Sequence, residues 1–210
     1  NDEEVVLANS GVLLWGVMNE QFNQNTMGWD SNHDFSWANY ENRGFTYPNL
    51  IPYMESHDEE RMMFRNLNYG NSSGNYDIQD FEIALKRAEL AAAFYFTLPG
   101  PKMIWQFEEL GYDISIDDPC RVCEKPILWN YYSEEKRYHL YKYFSALIHL
   151  KKENEAFTST NYEINVSGKV KEIRIYHESM DVLVYGNFGV TEDYGIPDLS
   201  GASVWYDYYT

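Results

Sequence analysis

His57 and Asp58 stand side by side at the end of Leu50–Met54, where Leu50, Ile51, Tyr53 and Met54 read as a short buried strand. An imidazole beside a carboxylate can hydrogen-bond a polyhydroxylated ligand and offset positive charge that develops on it. The carboxyl ends of parallel strands are where α/β sheets carry such groups. The competing reading is a strand-end Asp58 that caps a helix opened by Glu59-Glu60-Arg61. A second pair of carboxylates, Glu108 and Glu109, follows the apolar run Met103-Ile104-Trp105. Another His-Asp pair, His33-Asp34, is preceded by the polar turn Gly28-Trp29-Asp30-Ser31-Asn32 and reads as loop.

The two cysteines form Cys120-x-x-Cys123. A zinc site needs two further ligands at suitable spacing, and no second Cys pair or His-x-His follows. A redox dithiol should open a helix after a strand, whereas Asp117-Asp118-Pro119 marks a loop. The pair reads as two loop thiols without a catalytic role, or as a local disulfide in an oxidising compartment.

The elements that must position these groups alternate. Val12–Val17, Leu50–Met54 and Met103–Phe107 are continuous apolar runs, as expected of strands buried on both faces of a parallel sheet. Between the last two, Phe81, Ala84, Leu85, Ala88, Ala91, Ala92 and Tyr95 repeat with helical spacing. Asp77 is the expected N-cap of that helix, Glu82 and Lys86 an outward pair, and Leu98-Pro99-Gly100-Pro101 its end. A second long helix is expected over 134–152, capped by Ser133 and burying Leu140, Phe144, Leu147 and Ile148. Beyond Glu153 the period shortens. Residues 162–166, 170–177, 181–188 and 204–209 read as strands, the chain stopping inside the last. A domain boundary is placed near residue 154.

The net charge is −17, from 33 acidic and 16 basic residues, a balance that repels phosphate backbones and anionic membranes. It suits a neutral substrate. No run of apolar residues is long enough to span a bilayer, and Asn1-Asp2-Glu3-Glu4 does not resemble a signal peptide. No glycine loop that could cradle a phosphate is present, and no cofactor is evident. Aromatic residues make up 17%, and Trp15, Trp29, Trp37, Trp105 and Tyr112 are candidates for stacking on sugar rings, with packing as the alternative for each.

Tyr53-Met54-Glu55-Ser56-His57-Asp58 resembles the motif that closes the seventh strand in the α-amylase family of glycoside hydrolases. Leu98-Pro99-Gly100-Pro101-Lys102-Met103-Ile104-Trp105-Gln106-Phe107-Glu108-Glu109 resembles that family's helix end, eighth strand and Glu motif. The order of the motifs, followed by a helix and a β-rich tail, is similar as well. The resemblance implies an incomplete (β/α)8 (TIM) barrel segment over 1–153, holding strands six to eight. An antiparallel β-sandwich-like module over 154–210 would follow it: α/β plus small all-β. Two departures stand out. Pro52 falls within the seventh strand, and Glu108 stands where many members have glycine.

The same resemblance implies a function. The family cleaves glucosidic bonds with retention, using a carboxylate nucleophile and a carboxylic acid on earlier strands. Neither has a match in this chain, so the segment is expected to be inactive alone and to act as part of an enzyme on the α-1,4 bonds of starch-like glucans. Alternatives are a glucosyl-transferring or isomerising enzyme, and a non-catalytic carbohydrate-binding fragment. Asp58 would stabilise the transition state and His57 would bind the sugar. Glu109 and Tyr112 would be contacts at the barrel mouth, a structural role for Glu109 remaining open. Glu55 is given no catalytic role. Calcium ligands, if any, would lie in earlier segments, and no metal ligand is assigned. Unpaired strand edges predict self-association of the isolated segment. The compartment is open, with a lean towards secreted or periplasmic.

Overall fold

The computed structural model describes residues 2–193, 195–201 and 204–209. Helix α1 (Asp2–Asn9) leads into β1 (Leu14–Val17), α2 (Asn19–Thr26) and β2 (Leu50–Tyr53). β1 and β2 pair in parallel, Leu14 opposite Leu50 and Val17 opposite Tyr53. Pro52 lies inside this ladder opposite Gly16. Its missing donor is tolerated because β2 has no strand on its other edge among the described residues.

The expected third strand does not form. Residues 102–107 carry no strand pairing, and a side chain takes the place of a ladder. The phenolic oxygen of Tyr95 lies 2.7 Å from the carbonyls of both Pro52 and Met103 and accepts the Met103 amide at 3.0 Å. One buried tyrosine thus bridges the end of β2 and the segment beyond it.

After β2 come α3 (Met62–Tyr69), the small hairpin β3 (Ser72–Ser73) and β4 (Tyr76–Asp77), and α4 (Phe81–Thr97). The N-cap of α4 is Asp80 rather than Asp77: its carboxylate accepts the amides of Glu82 and Ile83 at 2.9 and 3.2 Å. Asp77 makes the same kind of turn one step earlier, accepting the amide of Gln79. Glu82 pairs across to Lys136 on the next long helix, not along its own helix to Lys86. The C-terminal half of α4 is buried all round, from Ala91 to Thr97. It ends where Gly100, at φ 81, brings the chain against the carbonyl of Pro48, 2.8 Å from where a Cβ would stand.

Helix α5 (Glu135–Glu153) packs along α4. Ser133 does not cap it. A 3-10 turn over Trp129–Ser133 precedes the helix, and no side chain caps its first amides. Arg137 ties down the start of α5 instead. It bonds Glu134 and Asp113 at 2.8 Å each and the carbonyls of Leu110 and Gly111, its guanidinium lying on the ring of Tyr131.

The chain ends in one antiparallel sheet of β5 (Tyr162–Asn165), β6 (Val170–Ile175) and β7 (Val182–Asn187). Among the described residues no second sheet faces it; its partner layer is α4. Residues 204–209 form no strand. Gly186 allows the close approach, since a Cβ there would stand 2.6 Å from Leu90. Phe35, Phe94 and Phe188 meet at this contact with ring centroids 5.3–6.0 Å apart. Each such buried ring contributes roughly 1.5–3 kcal/mol. One hydrophobic core runs from Phe22 through α4 and α5 to Ile173 and Phe188.

Buried cations seal the same contact. Arg87 of α4 donates to the carbonyls of Asn25, Thr26, Asn187, Phe188 and Gly189. Lys171 of β6 donates to those of His33, Val166 and Gly168, its ammonium 4.7 Å from the Phe35 ring centre. The His33-Asp34 pair therefore lies in a loop held to β6, with Asp34 accepting the amide of Ser36 at 2.8 Å.

Candidate functional site

Parallel pairing of β1 with β2 points both carboxyl ends the same way, and His57-Asp58 follow β2 within five residues. The two side chains are 72% and 70% exposed, with His57 Nε2 3.3 Å from Asp58 Oδ2. The His57 ring tilts over Trp105, centroids 5.8 Å apart. An exposed donor–carboxylate pair beside an indole can bind hydroxyls and pack on an apolar sugar face.

The loop that presents the pair is pinned from several directions. Asn19, at the start of α2, donates to the carbonyls of Met54 and Glu60 at 2.7 and 3.0 Å. The Asp58 amide donates to Ser56 Oγ, which in turn donates to Glu59. Arg121 reaches across to the Asp58 carbonyl. Glu60 accepts the amides of Arg61 and Ile116 at 2.9 Å each and the Ser115 hydroxyl at 2.7 Å, fastening the loop after residue 112 to the loop after β2. Cys120 and Cys123 close a disulfide in that outer loop.

Beneath the exposed pair is a dry one. Glu55 is 2% exposed and Glu108 4%. Glu55 caps α3 by accepting the Met62 amide at 2.7 Å, the role the sequence offered to Asp58. Glu108 accepts the Trp105 amide at 3.0 Å. Between them Arg61, 1% exposed, donates to the Ser56 carbonyl at 2.5 Å and lies over the Tyr112 ring. Burial raises the Glu55 carboxyl to about 7, with Arg61 opposing and Glu60 and Glu109 adding to the rise. Burial and the neighbouring Glu55 raise Glu108 well above the ordinary range. Glu55 Oε2, Glu108 Oε1, Arg61 Nε and Trp105 Nε1 have no hydrogen-bond partner.

The remaining expected contacts separate. Glu109 is half-buried beside this cluster, its carboxyl raised by burial. Tyr112 is fully buried, stacks on Phe107 and donates its hydroxyl to the Pro126 carbonyl. Trp15, Trp29 and Trp37 are exposed, though Trp29 is tied by its indole to the carbonyl of Tyr69. The backbone that a glycine would favour is at Phe107, φ 62, one residue before Glu108. Among the described residues no group of three or more His, Cys, Asp or Glu could hold a metal ion. Among the described residues no helix is long and apolar enough to cross a membrane. A cavity of about 570 Å³ lies at the opposite ends of the strands, around Pro48, Gly100, Lys102 and Lys151. Its lysines donate to carbonyls from Leu98 to Pro101 at the end of α4.

Neither a protein-family model nor a curated protein matches the sequence. Solved structures do match. A debranching enzyme from Nostoc punctiforme, soaked with acarbose, superposes over 83% of this chain at 17% identity and a TM-score of 0.50. Cyclic α-maltosyl-(1→6)-maltose hydrolase from Arthrobacter globiformis, in complex with its cyclic sugar, covers 81% at 20% identity and a TM-score of 0.52. AmyP in complex with maltotriose covers 78% at 14% and 0.50. These are α-amylase-family glycoside hydrolases. The chain has the fold of their C-terminal part. It spans 36–37% of the length of those structures.

Proposed function

We propose that this chain is the C-terminal part of a retaining glycoside hydrolase that cleaves α-1,4 bonds of starch-like glucans, and that it is inactive on its own. The observation that carries the reading is the exposed His57-Asp58 pair at the carboxyl end of a parallel strand, beside Trp105. The likeness in fold to enzymes named for α-glucan substrates supports it. Asp58 would hold sugar hydroxyls and offset the positive charge of the oxocarbenium-like transition state; His57 would donate to the same sugar. The nucleophile and the acid would come from segments outside this chain, as would any calcium ligands. Residues 1–153 would belong to the enzyme's barrel and 154–210 to its C-terminal β domain, in a secreted or periplasmic protein. Trp15 and Val17 alternate onto an exposed face of β1, with Leu13 exposed just before it, a surface for self-association of the isolated segment.

Two measurements test the reading. The isolated chain, given a chromogenic maltooligosaccharide, should not turn over; sustained turnover lost in Asp58→Asn would place the nucleophile or acid within it. In the longer enzyme, Asp58→Asn should lower kcat about a hundredfold to a thousandfold with little change in ground-state binding, because the amide keeps the size but not the charge. His57→Ala should cost less and Asp34→Asn almost nothing. A silent Asp58→Asn alongside a crippling Asp34→Asn would transfer the role to the other pair.

A further inference from the structure

We propose that Glu55 and Glu108 keep one proton between them at neutral pH, and that this protonated pair, with Arg61, positions the His57-Asp58 loop. The argument is one of charge and hydrogen-bond accounting. Two carboxyl groups and one guanidinium are buried together, so full ionisation would leave a net negative charge in a dry seam. Each carboxyl has one oxygen engaged by a backbone amide, Met62 for Glu55 and Trp105 for Glu108, and one oxygen without a partner. A proton turns an acceptor-only oxygen into a donor and cancels the excess charge. The other charged groups facing the pair reinforce this. Glu60 is committed to Arg61, Ser115 and Ile116, Glu109 adds more negative charge, and the neighbouring Tyr95 and Tyr112 supply none to neutralise it.

The placement explains the positioning role. Glu55 and Arg61 bracket the loop that carries His57 and Asp58, and Arg61 holds it through the Ser56 carbonyl. Glu108 fixes the backbone of Trp105, the residue under the His57 ring. When the second carboxyl ionises, the repulsion falls on both walls of the site together. The folded-state value of Glu55, about 7, is above its ordinary 4.5. The associated stability is therefore complete below 4.5 and is lost as pH rises through 7. This positioning role rests on the glucan-binding reading; the proton itself does not.

The experiment keeps the two apart. In the chain as it stands, glutamate carboxyl carbons are followed by 13C NMR, alongside melting curves, from acid to mildly alkaline pH. Two carboxyls should titrate above the ordinary range in the wild type, one of them near 7. In Glu55→Gln the remaining one, Glu108, should titrate lower than in the wild type, because the Glu55 charge that raises it is gone. That isosteric variant should also lose the neutral-pH fall in Tm. If every glutamate titrates in the ordinary range, or Glu108 keeps its wild-type midpoint in Glu55→Gln, the shared proton is wrong. Maltotriose binding by calorimetry is the second arm. Wild-type affinity should fall several-fold across the same window, while Glu55→Gln, which lacks the carboxyl that titrates near 7, binds equally at both ends. A shared titration with pH-independent binding would overturn the positioning role alone. Failure of maltotriose to bind any variant would count against the glucan reading and leave the NMR result to decide the proton.

Discussion

Two buried charged seams run through this molecule. At the sheet seam, Arg87 and Lys171 join α4 to β6 and β7, and their charged nitrogens all meet carbonyl oxygens. At the site seam, Glu55, Glu108, Arg61 and Trp105 each leave a polar atom without a partner. The first seam binds cations to backbone dipoles that cannot titrate. The second puts like charges together and depends on a proton to settle them. A saturated seam stabilises one arrangement firmly; an incompletely satisfied one is the place where ligand, solvent or pH can change the balance.

Substitutions can break or sharpen this contrast. The largest expected effect is Arg87→Met, which keeps much of the stem but strands five carbonyls in the core. It should cost about 3 kcal/mol or more, read from the urea midpoint. A loss below about 1 kcal/mol would mean water already reaches the seam. Gly186→Val comes next. Its added carbons would meet Leu90 and Phe94 of α4, and overpacking of this kind costs about 1–3 kcal/mol. Unchanged stability would show that the sheet can slide off the helix freely.

The smallest effect is a change in slope. Burial lowers Lys171 to about 8 from 10.5, so the folded chain releases that proton before the unfolded chain does. Stability should therefore rise as pH increases from 8 towards 10.5. Lys151, also lowered to about 8 by burial, contributes in the same direction, so the difference between wild type and Lys171→Met isolates the residue. Identical slopes in the two proteins would assign the whole pH response to other groups.

The parts of this architecture carried by periodicity and end signals were legible in the sequence. The helical spacing from Phe81 to Tyr95 and the apolar runs at 12–17 and 50–54 depend on local pattern. A helix and two shorter strands, 14–17 and 50–53, stand there, although β1 leaves Trp15 and Val17 exposed rather than buried on both faces. So does the change to antiparallel strands after residue 160. The run at 103–107 has the composition of a strand but not the pairing, because Tyr95 meets its backbone groups first. Caps were misread by a few residues, since Asp77 and Asp80 carry the same turn chemistry and only the three-dimensional path separates them. The exposed pair at 57–58 was visible as a motif. Its buried counterpart was not: Glu55 and Glu108 lie 53 positions apart, and no local pattern brings them together until the fold turns both inward. The nearest signal was the run of carboxylates flanking one arginine at 55–61.

The sheet seam also sets an order of events. Arg87 takes three of its five partners from residues 187–189, a hundred positions later in the chain. At synthesis rates of about 5–20 residues per second, α4 waits roughly 5–20 s before those carbonyls exist. During that interval its guanidinium and the flank that Phe188 will cover face solvent or a chaperone. Assembly of the core is therefore completed from the far end, and truncation just before β7 should leave a nascent chain with formed helices and an open, sticky flank.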